Sequence, residues 1–195
     1  MGRIADKRRQ EILHAAIEVF GDKGFHRAKM GDIASKAGIG KGTIYEYFSS
    51  KNELYEEMLK DIVDGYLEGA EDIFKTSYSV KDRLIEFARF HGGFMGSHVE
   101  LAENSIREAK ELSEKVKLYL FTRKKDFLEA IYNLLREGIN NGEIFEELDV
   151  ESASCLILGG INQAYINHLH KEGSDNCTVD PVPVIEMVFK GIGKG

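Results

Sequence analysis

The chain has 195 residues and a formal net charge of −7, and 43% of its residues are hydrophobic, enough to fill a core. The acidic balance argues against a generally basic protein that coats nucleic acid. No apolar run approaches the ~20 residues that a bilayer-crossing helix needs, and the charged N-terminus lacks an apolar secretory core. We therefore expect no membrane partner. Cys155 and Cys177 form no Cys-x-x-Cys pair, which suits a reducing cytoplasm.

The charge is unevenly distributed along the chain. The first 51 residues hold ten of the 26 basic and six of the 33 acidic side chains, so they carry +4 and the remainder carries −11. A small basic segment on a large acidic body indicates that only the first part meets a polyanion.

The predicted elements are all helices. Long stretches rich in Glu, Lys, Leu and Ala, with only two prolines, favour an all-α fold. Gly24 is expected to stop the first helix in a left-handed conformation, Ser49 or Ser50 to cap the fourth, and Asp149 to cap a later one. The predicted helices cover residues 6–23, 29–37, 41–48, about 51–74, 80–96, 101–109, 113–140, 149–170 and a last segment from 181.

Two short helices joined by Gly38-Ile39-Gly40 form a helix-turn-helix pattern. In that geometry the second helix enters the major groove of DNA by its N-terminal residues. A lysine there reaches a phosphate or a guanine edge, and a glycine lets the DNA backbone approach closely. Tyrosine hydroxyls can bond phosphates, and lysines at the starts of the flanking helices add charge. The candidate DNA-binding residues are Lys29, Lys41, Gly42, Thr43, Tyr45, Tyr47 and Lys51.

At these residues the sequence closely resembles the DNA-binding domain of the TetR family of transcriptional regulators. The match covers about residues 7–55. Family members usually enter the second helix with Thr or Ser, where this chain has Ala28 and Lys29, which weakens a hydroxyl cap at that position. The matching segments are Phe20 with Gly24-Phe25, Asp32-Ile33-Ala34, Ala37-Gly38, Lys41-Gly42-Thr43-Ile44-Tyr45-Glu46-Tyr47-Phe48 and Lys51-Asn52-Glu53-Leu54.

The resemblance implies an all-α homodimer that binds double-stranded operator DNA and is released by a small-molecule effector. It implies a three-helix DNA-binding domain over residues 1–50, joined by the long fourth helix to a helical ligand-binding and dimerisation domain over residues 51–195. The segments Gly142-Glu143-Ile144 and Asp149-Val150 also resemble, more diffusely, the subgroup that responds to fatty acyl-CoA.

A group of aromatic and polar side chains in the acidic body provides a candidate effector site. Aromatic residues at helical spacing on one segment can line an apolar pocket, and rings on another segment can face them. A histidine and an asparagine could orient the effector, and an arginine could hold an anionic group. Ordinary core packing and a solvated arginine remain alternatives. The candidate residues are Phe87, His91, Phe94, Tyr119, Arg123, Phe127 and Asn162.

Two apolar segments near the C-terminal end are candidates for a subunit interface. Residues 155–161 are apolar all round, and Ile185, Val188, Phe189 and Ile192 form a stripe on the last helix. By family analogy these helices form the dimer, although the stripes are equally compatible with an intrachain core. Cys155 is expected to be a small buried hydrophobe.

Enzymatic and metal-binding functions find no supporting motif. His168 and His170 diverge on a helix, and His91 and His98 lie near no compact set of cysteines or carboxylates. No catalytic triad or carboxylate pair has a recognisable context, so we expect no enzyme, no cofactor and no metal. The sequence predicts a ligand-responsive repressor. A small-molecule-binding protein with a vestigial DNA module, or an activator, remains an alternative.

Overall fold

The computed structural model describes residues 2–108, 112–172 and 179–191, and within these ranges the chain forms eight α-helices and no strand. The helices are α1 (Gly2–Arg27), α2 (Met30–Lys36), α3 (Lys41–Tyr47), α4 (Lys51–Phe74), α5 (Val80–Glu108), α6 (Glu114–Asn140), α7 (Val150–Glu172) and α8 (Val182–Lys190). The predicted all-α fold is confirmed. None of these helices, over the described ranges, is long and apolar enough to span a bilayer.

The helices group into two compact units, neither of which is continuous in sequence. The N-terminal unit comprises residues 1–65 and 98–121, and the C-terminal unit comprises residues 66–97 and 122–195. Each unit has its own hydrophobic core. The core of the N-terminal unit joins side chains of α1 to α4, such as Phe20, Ile44 and Met58, to Leu101 from the end of α5.

The first helix breaks at Gly24, the residue at which the sequence predicts its stop. Gly24 has φ 69° and ψ 165°, so α1 kinks there and continues to Arg27. The predicted interruption at Gly24 is therefore confirmed, whereas the predicted left-handed helical conformation is wrong, because φ but not ψ lies in that region. Phe25, just after the kink, turns into the N-terminal core and packs against Phe20 and Tyr55.

A Schellman motif makes the turn of the helix-turn-helix. Gly38 has φ 66°, the N–H of Ile39 donates to Ala34 O at 2.9 Å and the N–H of Gly38 donates to Ser35 O at 3.2 Å. Ile39 packs against the N-terminal core, which is the apolar contact that usually accompanies this motif. The turn fixes where α3 starts.

The capping of the later helices follows the predicted chemistry. At α4 the Ser50 hydroxyl accepts the N–H of Glu53 at 3.1 Å, and the Glu53 carboxylate accepts the N–H of Ser49 at 2.7 Å. Asp149 accepts the N–H of Glu151 at 3.2 Å at the start of α7. Gly142, with φ 80°, ends α6 in a second Schellman motif.

Two local expectations are wrong. The helices predicted over 80–96 and 101–109 are one continuous helix, α5, because Gly96 and Ser97 lack the proline or cap that would break it. Cys155 is exposed on the single chain, because it lies on the face of α7 opposite buried Ile157 and Ala153. Two other residues named from the sequence, Cys177 and Ile192, lie outside the described residues.

A buried arginine joins three helices of the C-terminal unit. Arg83 on α5 is only 3% exposed. Its guanidinium donates to Phe74 O at the end of α4 at 2.8 Å and to the Glu137 carboxylate on α6 at 2.5 Å. These hydrogen bonds hold the pKa of Glu137 below its ordinary value. Arg83 thereby fixes the ends of α4 and α6 relative to α5.

Candidate DNA-binding surface and effector site

The predicted DNA-reading residues lie on a helix that the core holds by one face. Ile44 on α3 is buried in the N-terminal core, as is Phe48 just after it. Lys41, Gly42 and Tyr45 are exposed, and Tyr45 keeps 47% of its surface. Thr43 and Tyr47 are partly buried, and Tyr47 packs against the core. Lys41, Gly42 and Tyr45 therefore share the exposed surface of α3.

Gly42 has no structural need to be a glycine. A Cβ at this position would find nothing within 4 Å, and the residue has no positive φ. Gly42 is the second residue of α3, and glycine is a poorer helix former than alanine. Because neither the fold nor the backbone requires the missing side chain, the requirement points outside the chain, to a surface that approaches α3 closely.

Lys29 stands just before α2 and fits the predicted weak cap. It has extended φ and ψ, is exposed, and makes no side-chain cap hydrogen bond, as the absent Ser or Thr predicts. Lys23 on α1 donates to the Asp32 carboxylate at 2.9 Å and lowers its pKa. This ion pair ties α1 to α2, and the side chain of Lys29 extends from that junction.

Lys51 lies in a different environment from the other predicted DNA-binding lysines. Its ammonium donates to Phe25 O at 2.7 Å, Ala28 O at 3.1 Å and His26 O at 3.4 Å. It also lies over the Phe25 ring, 4.4 Å from the centroid. An ammonium has three N–H donors, and here all three point at carbonyls where α1 ends.

Several predicted effector residues of the C-terminal unit cluster around Tyr66 on α4, which is not among the predicted site residues. The Tyr66 ring on α4 contacts the rings of Phe87, Phe94 and Phe127, at centroid distances of 6.5, 4.7 and 5.6 Å. It also stacks on Phe90 at 5.5 Å. The structure therefore brings three of the predicted aromatic residues together, with Tyr66 at the centre.

His91 lies within this aromatic cluster, and one of its two ring nitrogens has a hydrogen-bond partner while the other has none. Its Nδ1 is 2.9 Å from the Tyr66 hydroxyl, and its Nε2 is buried without a hydrogen-bond partner in the structure. Burial lowers the pKa of His91, opposed by a smaller effect of Asn162 on α7. Asn162 thus acts on His91, yet Nε2 finds no acceptor in hydrogen-bonding geometry.

Two further predicted effector residues, Arg123 and Tyr119, contact carboxylates. Arg123 on α6 pairs with Asp126 at 3.3 Å. The pKa of Glu71 is lowered mainly by its hydrogen bond with Lys75, and the charge of Arg123 adds to that shift. Asn162 is exposed on α7. Tyr119 belongs to the N-terminal unit, where its hydroxyl donates to the Asp64 carboxylate at 2.5 Å.

Close helix packing at glycines completes the cluster. A Cβ at Gly92 on α5 would lie 1.9 Å from a ring atom of Tyr165 on α7, and a Cβ at Gly69 would lie 2.6 Å from the Phe90 ring. Tyr165 is 2% exposed and contacts His91 edge-on at 6.1 Å. The adjacent pair Gly92-Gly93 inside a helix was the available sequence signal for this contact.

Within the part of the chain that the structure describes, no group of three or more histidine, cysteine, aspartate or glutamate side chains could hold a metal ion.

Comparison with known proteins decides the family. A model of bacterial regulatory proteins of the tetR family matches residues 12–58, and a model of the tetracyclin repressor-like C-terminal domain matches residues 77–166. The HTH-type transcriptional repressor KstR2 of Mycolicibacterium smegmatis is 31% identical over 151 residues, which are 74% of this chain and 71% of that protein. The chain belongs to the TetR family. The TetR-family resemblance and the function of DNA-binding transcriptional regulator are thereby confirmed.

Other relatives of this TetR-family chain match along almost its whole length. The fatty acid metabolism regulator protein of Bacillus subtilis is 28% identical over 93% of this chain and 94% of that protein. The structure of FadR from Bacillus subtilis in complex with stearoyl-CoA has a TM-score of 0.71, with 27% identity over 94% of this chain and 99% of that one. The structure of FadR from Bacillus halodurans has a TM-score of 0.73 and 25% identity, over 95% of this chain and 96% of that one.

Proposed function

We propose that this TetR-family regulator is a homodimeric repressor released from its operator by a fatty acyl-CoA. The likeness to FadR bound to stearoyl-CoA, over nearly all of both chains, carries the choice of effector. The aromatic cluster around Tyr66 supports it, because apolar and aromatic side chains with few polar groups suit an apolar chain. We place the protein in the cytoplasm, where its operator lies.

We propose that α3 enters the major groove. Lys41, Thr43 and Tyr45 then contact the DNA, Gly42 allows the close approach, and Tyr47 and Lys29 flank the contact. In a two-fold symmetric dimer the half-sites are then about 34–36 Å apart, or near a multiple of that distance. DNA selects one spacing of the two α3 helices and the effector selects another, so the effector acts by population shift.

We propose that α7 and α8 form the dimer. Leu156 on α7 is 69% exposed and Met187 on α8 is 56% exposed on the single chain. Gly159, nearly one turn beyond Leu156, is exposed, and a Cβ added there would find nothing within 4 Å. Apolar side chains left uncovered on adjoining helices indicate a surface for another protein, and a glycine there allows a close approach of helices.

The dimer has a direct mutational test. A Leu156→Glu substitution places a charge in the proposed interface, where its desolvation costs several kcal/mol, and we expect the protein to become monomeric. Sedimentation velocity at micromolar concentration measures the change. Leu118→Glu on α6 is the matched control, since Leu118 is similarly exposed, at 66%, but lies outside α7 and α8. An unchanged dimer in the Leu156 variant would contradict the proposed interface.

A gel-shift assay tests the function as a whole. The full-length protein is expected to bind a duplex from the DNA flanking its own coding region, with an affinity that falls steeply with salt. Stearoyl-CoA is expected to release it, whereas coenzyme A alone is not. Tight binding of stearoyl-CoA without binding to any flanking duplex would favour the alternative of a ligand-binding protein with a vestigial DNA module.

A second candidate is activation. The HTH-type transcriptional activator FasR of Mycolicibacterium smegmatis is 43% identical over 79 residues, which are 40% of this chain. A reporter gene placed behind the bound duplex separates the two functions. Deletion of the regulator raises expression if it represses and lowers expression if it activates.

A further inference from the structure

Among the described residues, Nε2 of His91 is one of three buried side-chain polar atoms of the C-terminal unit without a hydrogen-bond partner, and it is the one that lies in the proposed effector site. It lies among the rings of Tyr66, Phe87 and Tyr165, at centroid distances of 5.9, 6.0 and 6.1 Å. Leaving a buried polar group without a hydrogen bond costs about 1–3 kcal/mol. A bound molecule that supplies the missing partner would recover this cost.

The hydrogen-bond inventory indicates which nitrogen of His91 carries the proton. Burial strongly raises the pKa of Tyr66, so its hydroxyl stays protonated, and burial lowers the pKa of His91, so the imidazole is neutral. If Tyr66 donates to Nδ1, only the Nε2–H remains unsatisfied. If Nδ1 donates to Tyr66, both the Tyr66 hydrogen and the Nε2 lone pair are left unsatisfied. The first arrangement is less costly, and it makes Nε2–H a donor.

We infer that the effector places an uncharged carbonyl oxygen, that of a thioester or ester, on the Nε2–H of His91. The inference rests on the proposed function, because it concerns the effector bound in the same cluster. The missing group must be an acceptor, since the unsatisfied group is a donor. A free carboxylate is disfavoured, because transferring an ion among aromatic rings costs far more than transferring a carbonyl, and the neutral imidazole offers it no positive charge.

Two matched ligands separate the carbonyl from the rest of the effector. Stearoyl-CoA carries the thioester carbonyl, whereas S-octadecyl-CoA has the same chain length and the same nucleotide with a CH₂ in place of the carbonyl. Binding of each to the full-length wild-type protein is measured by isothermal titration calorimetry at pH 7.5. We expect stearoyl-CoA to bind about tenfold more tightly, as a hydrogen bond to a buried donor implies.

The outcomes distinguish this inference from the proposed function. Equal affinities for the two ligands would overturn the carbonyl contact and leave the acyl-CoA effector standing. Absence of binding by both would overturn the acyl-CoA effector, and the inference with it. Tighter binding of stearate than of stearoyl-CoA would show that the site takes the free acid and would also overturn the inference.

Two variants locate the preference at His91. His91→Phe keeps an aromatic ring at this position but removes the N–H donor, so the ratio of the two affinities is expected to fall to about one. Tyr66→Phe also removes the Tyr66–His91 hydrogen bond but leaves Nε2 in place. A neutral imidazole can still carry its proton on Nε2, where the bound carbonyl favours it, so the ratio is expected to persist. The ratio is insensitive to a general loosening of the cluster, because both ligands share the apolar chain. A ratio that survives in His91→Phe would overturn the assignment.

Discussion

The ammonium of Lys51 shows how a charged side chain on a DNA-binding unit can be committed to the fold. The last carbonyls of a helix lack intrahelical partners, and a cation near them is favoured by the helix dipole. Lys51 meets the carbonyls of Phe25, His26 and Ala28 beyond the kink of α1. We therefore expect it to position α1 against the start of α4, and not to contact a phosphate.

The salt dependence of DNA binding separates these two roles of lysine. Each phosphate contact adds about 0.9 to the slope of log affinity against log salt concentration. We expect Lys41→Met to lower that slope by about this amount, and Lys51→Met to weaken binding and lower the melting temperature without changing the slope. Fluorescence anisotropy on a labelled duplex at several salt concentrations measures both. A reduced slope in the Lys51 variant would restore it as a phosphate ligand.

The open space around Gly42 leads to a second prediction at the residue scale. We expect Gly42→Ala to stabilise the folded chain by about 0.5–1 kcal/mol, as helix propensity predicts, and to weaken operator binding because the methyl group blocks close approach. Urea unfolding and the gel shift measure the two effects. Gly93→Ala, on α5 and also without atoms within 4 Å, is the control that should stabilise without affecting the operator. Undiminished binding by Gly42→Ala would refute a close approach there.

At the scale of single helices, the sequence predicts where a helix ends better than it predicts which side chains of other helices it contacts. The caps at Ser50, Asp149 and Gly142 depend on hydrogen bonds between residues at most about one and a half helical turns apart in sequence, and such local chemistry is visible in the sequence. The contact of Tyr66 with Phe94 joins residues 28 positions apart, and the overlap of Gly92 with Tyr165 depends on how two helices cross. The sequence therefore predicted three aromatic residues of the cluster, Phe87, Phe94 and Phe127, but not that Tyr66 lies at its centre.

The anchoring of α8 should be sensitive to acid. Lys190 and Lys81 lower the pKa of Glu186 from 4.5 to about 2, and Lys81 links α8 to α5. A carboxylate with a lowered pKa in the folded state stabilises the fold above its unfolded pKa, and the stabilisation disappears as the pH falls towards the folded pKa. The stabilisation of the fold by the Glu186 carboxylate should be complete above about pH 5 and lost near pH 2.

The matching experiment compares melting temperatures across that range. Glu186→Gln is expected to melt below the wild type at pH 7, and the difference is expected to close between pH 4.5 and pH 2 as the wild-type carboxyl becomes neutral. Circular dichroism at 222 nm follows the transition. Glu146→Gln, at an exposed loop position, should change little at any pH. A difference that persists undiminished at pH 2 would show that the charge of Glu186 is not its cause.

At the scale of the whole molecule, the first helices do not make a complete folding unit. The N-terminal core contains Leu101, which is 5% exposed, and Leu112 packs against it. Glu56 on α4 accepts the N–H of Ser113 at 2.7 Å, and Asp64 accepts the Tyr119 hydroxyl. These contacts come from residues that the sequence placed in the acidic body, because sequence similarity to the family DNA-binding domain ends near residue 55.

A fragment tests this dependence. The chain truncated to residues 1–65 loses the burial of Leu101, roughly 1.5–3 kcal/mol, and we expect it to melt at least about 10 °C below the N-terminal unit of the intact protein. Residue-resolved amide signals in NMR thermal scans report the melting of the fragment and of the N-terminal unit in the intact protein. Leu101→Ala in the full chain should reproduce much of the loss. Equal melting of the fragment and the intact unit would show that residues 98–121 contribute nothing to its stability.

The interleaving of the two units in the chain also constrains how such regulators diversify. Recombination at a single crossover near residue 65 would separate α1 and most of the N-terminal core from the Leu101 and Leu112 segments that pack in it. A hybrid that exchanges the effector-sensing unit between two regulators requires splices near residues 65, 97 and 121. An engineer who grafts a new effector-sensing unit onto this DNA-binding unit should therefore replace two segments, residues 66–97 and 122–195, and keep residues 98–121 unchanged.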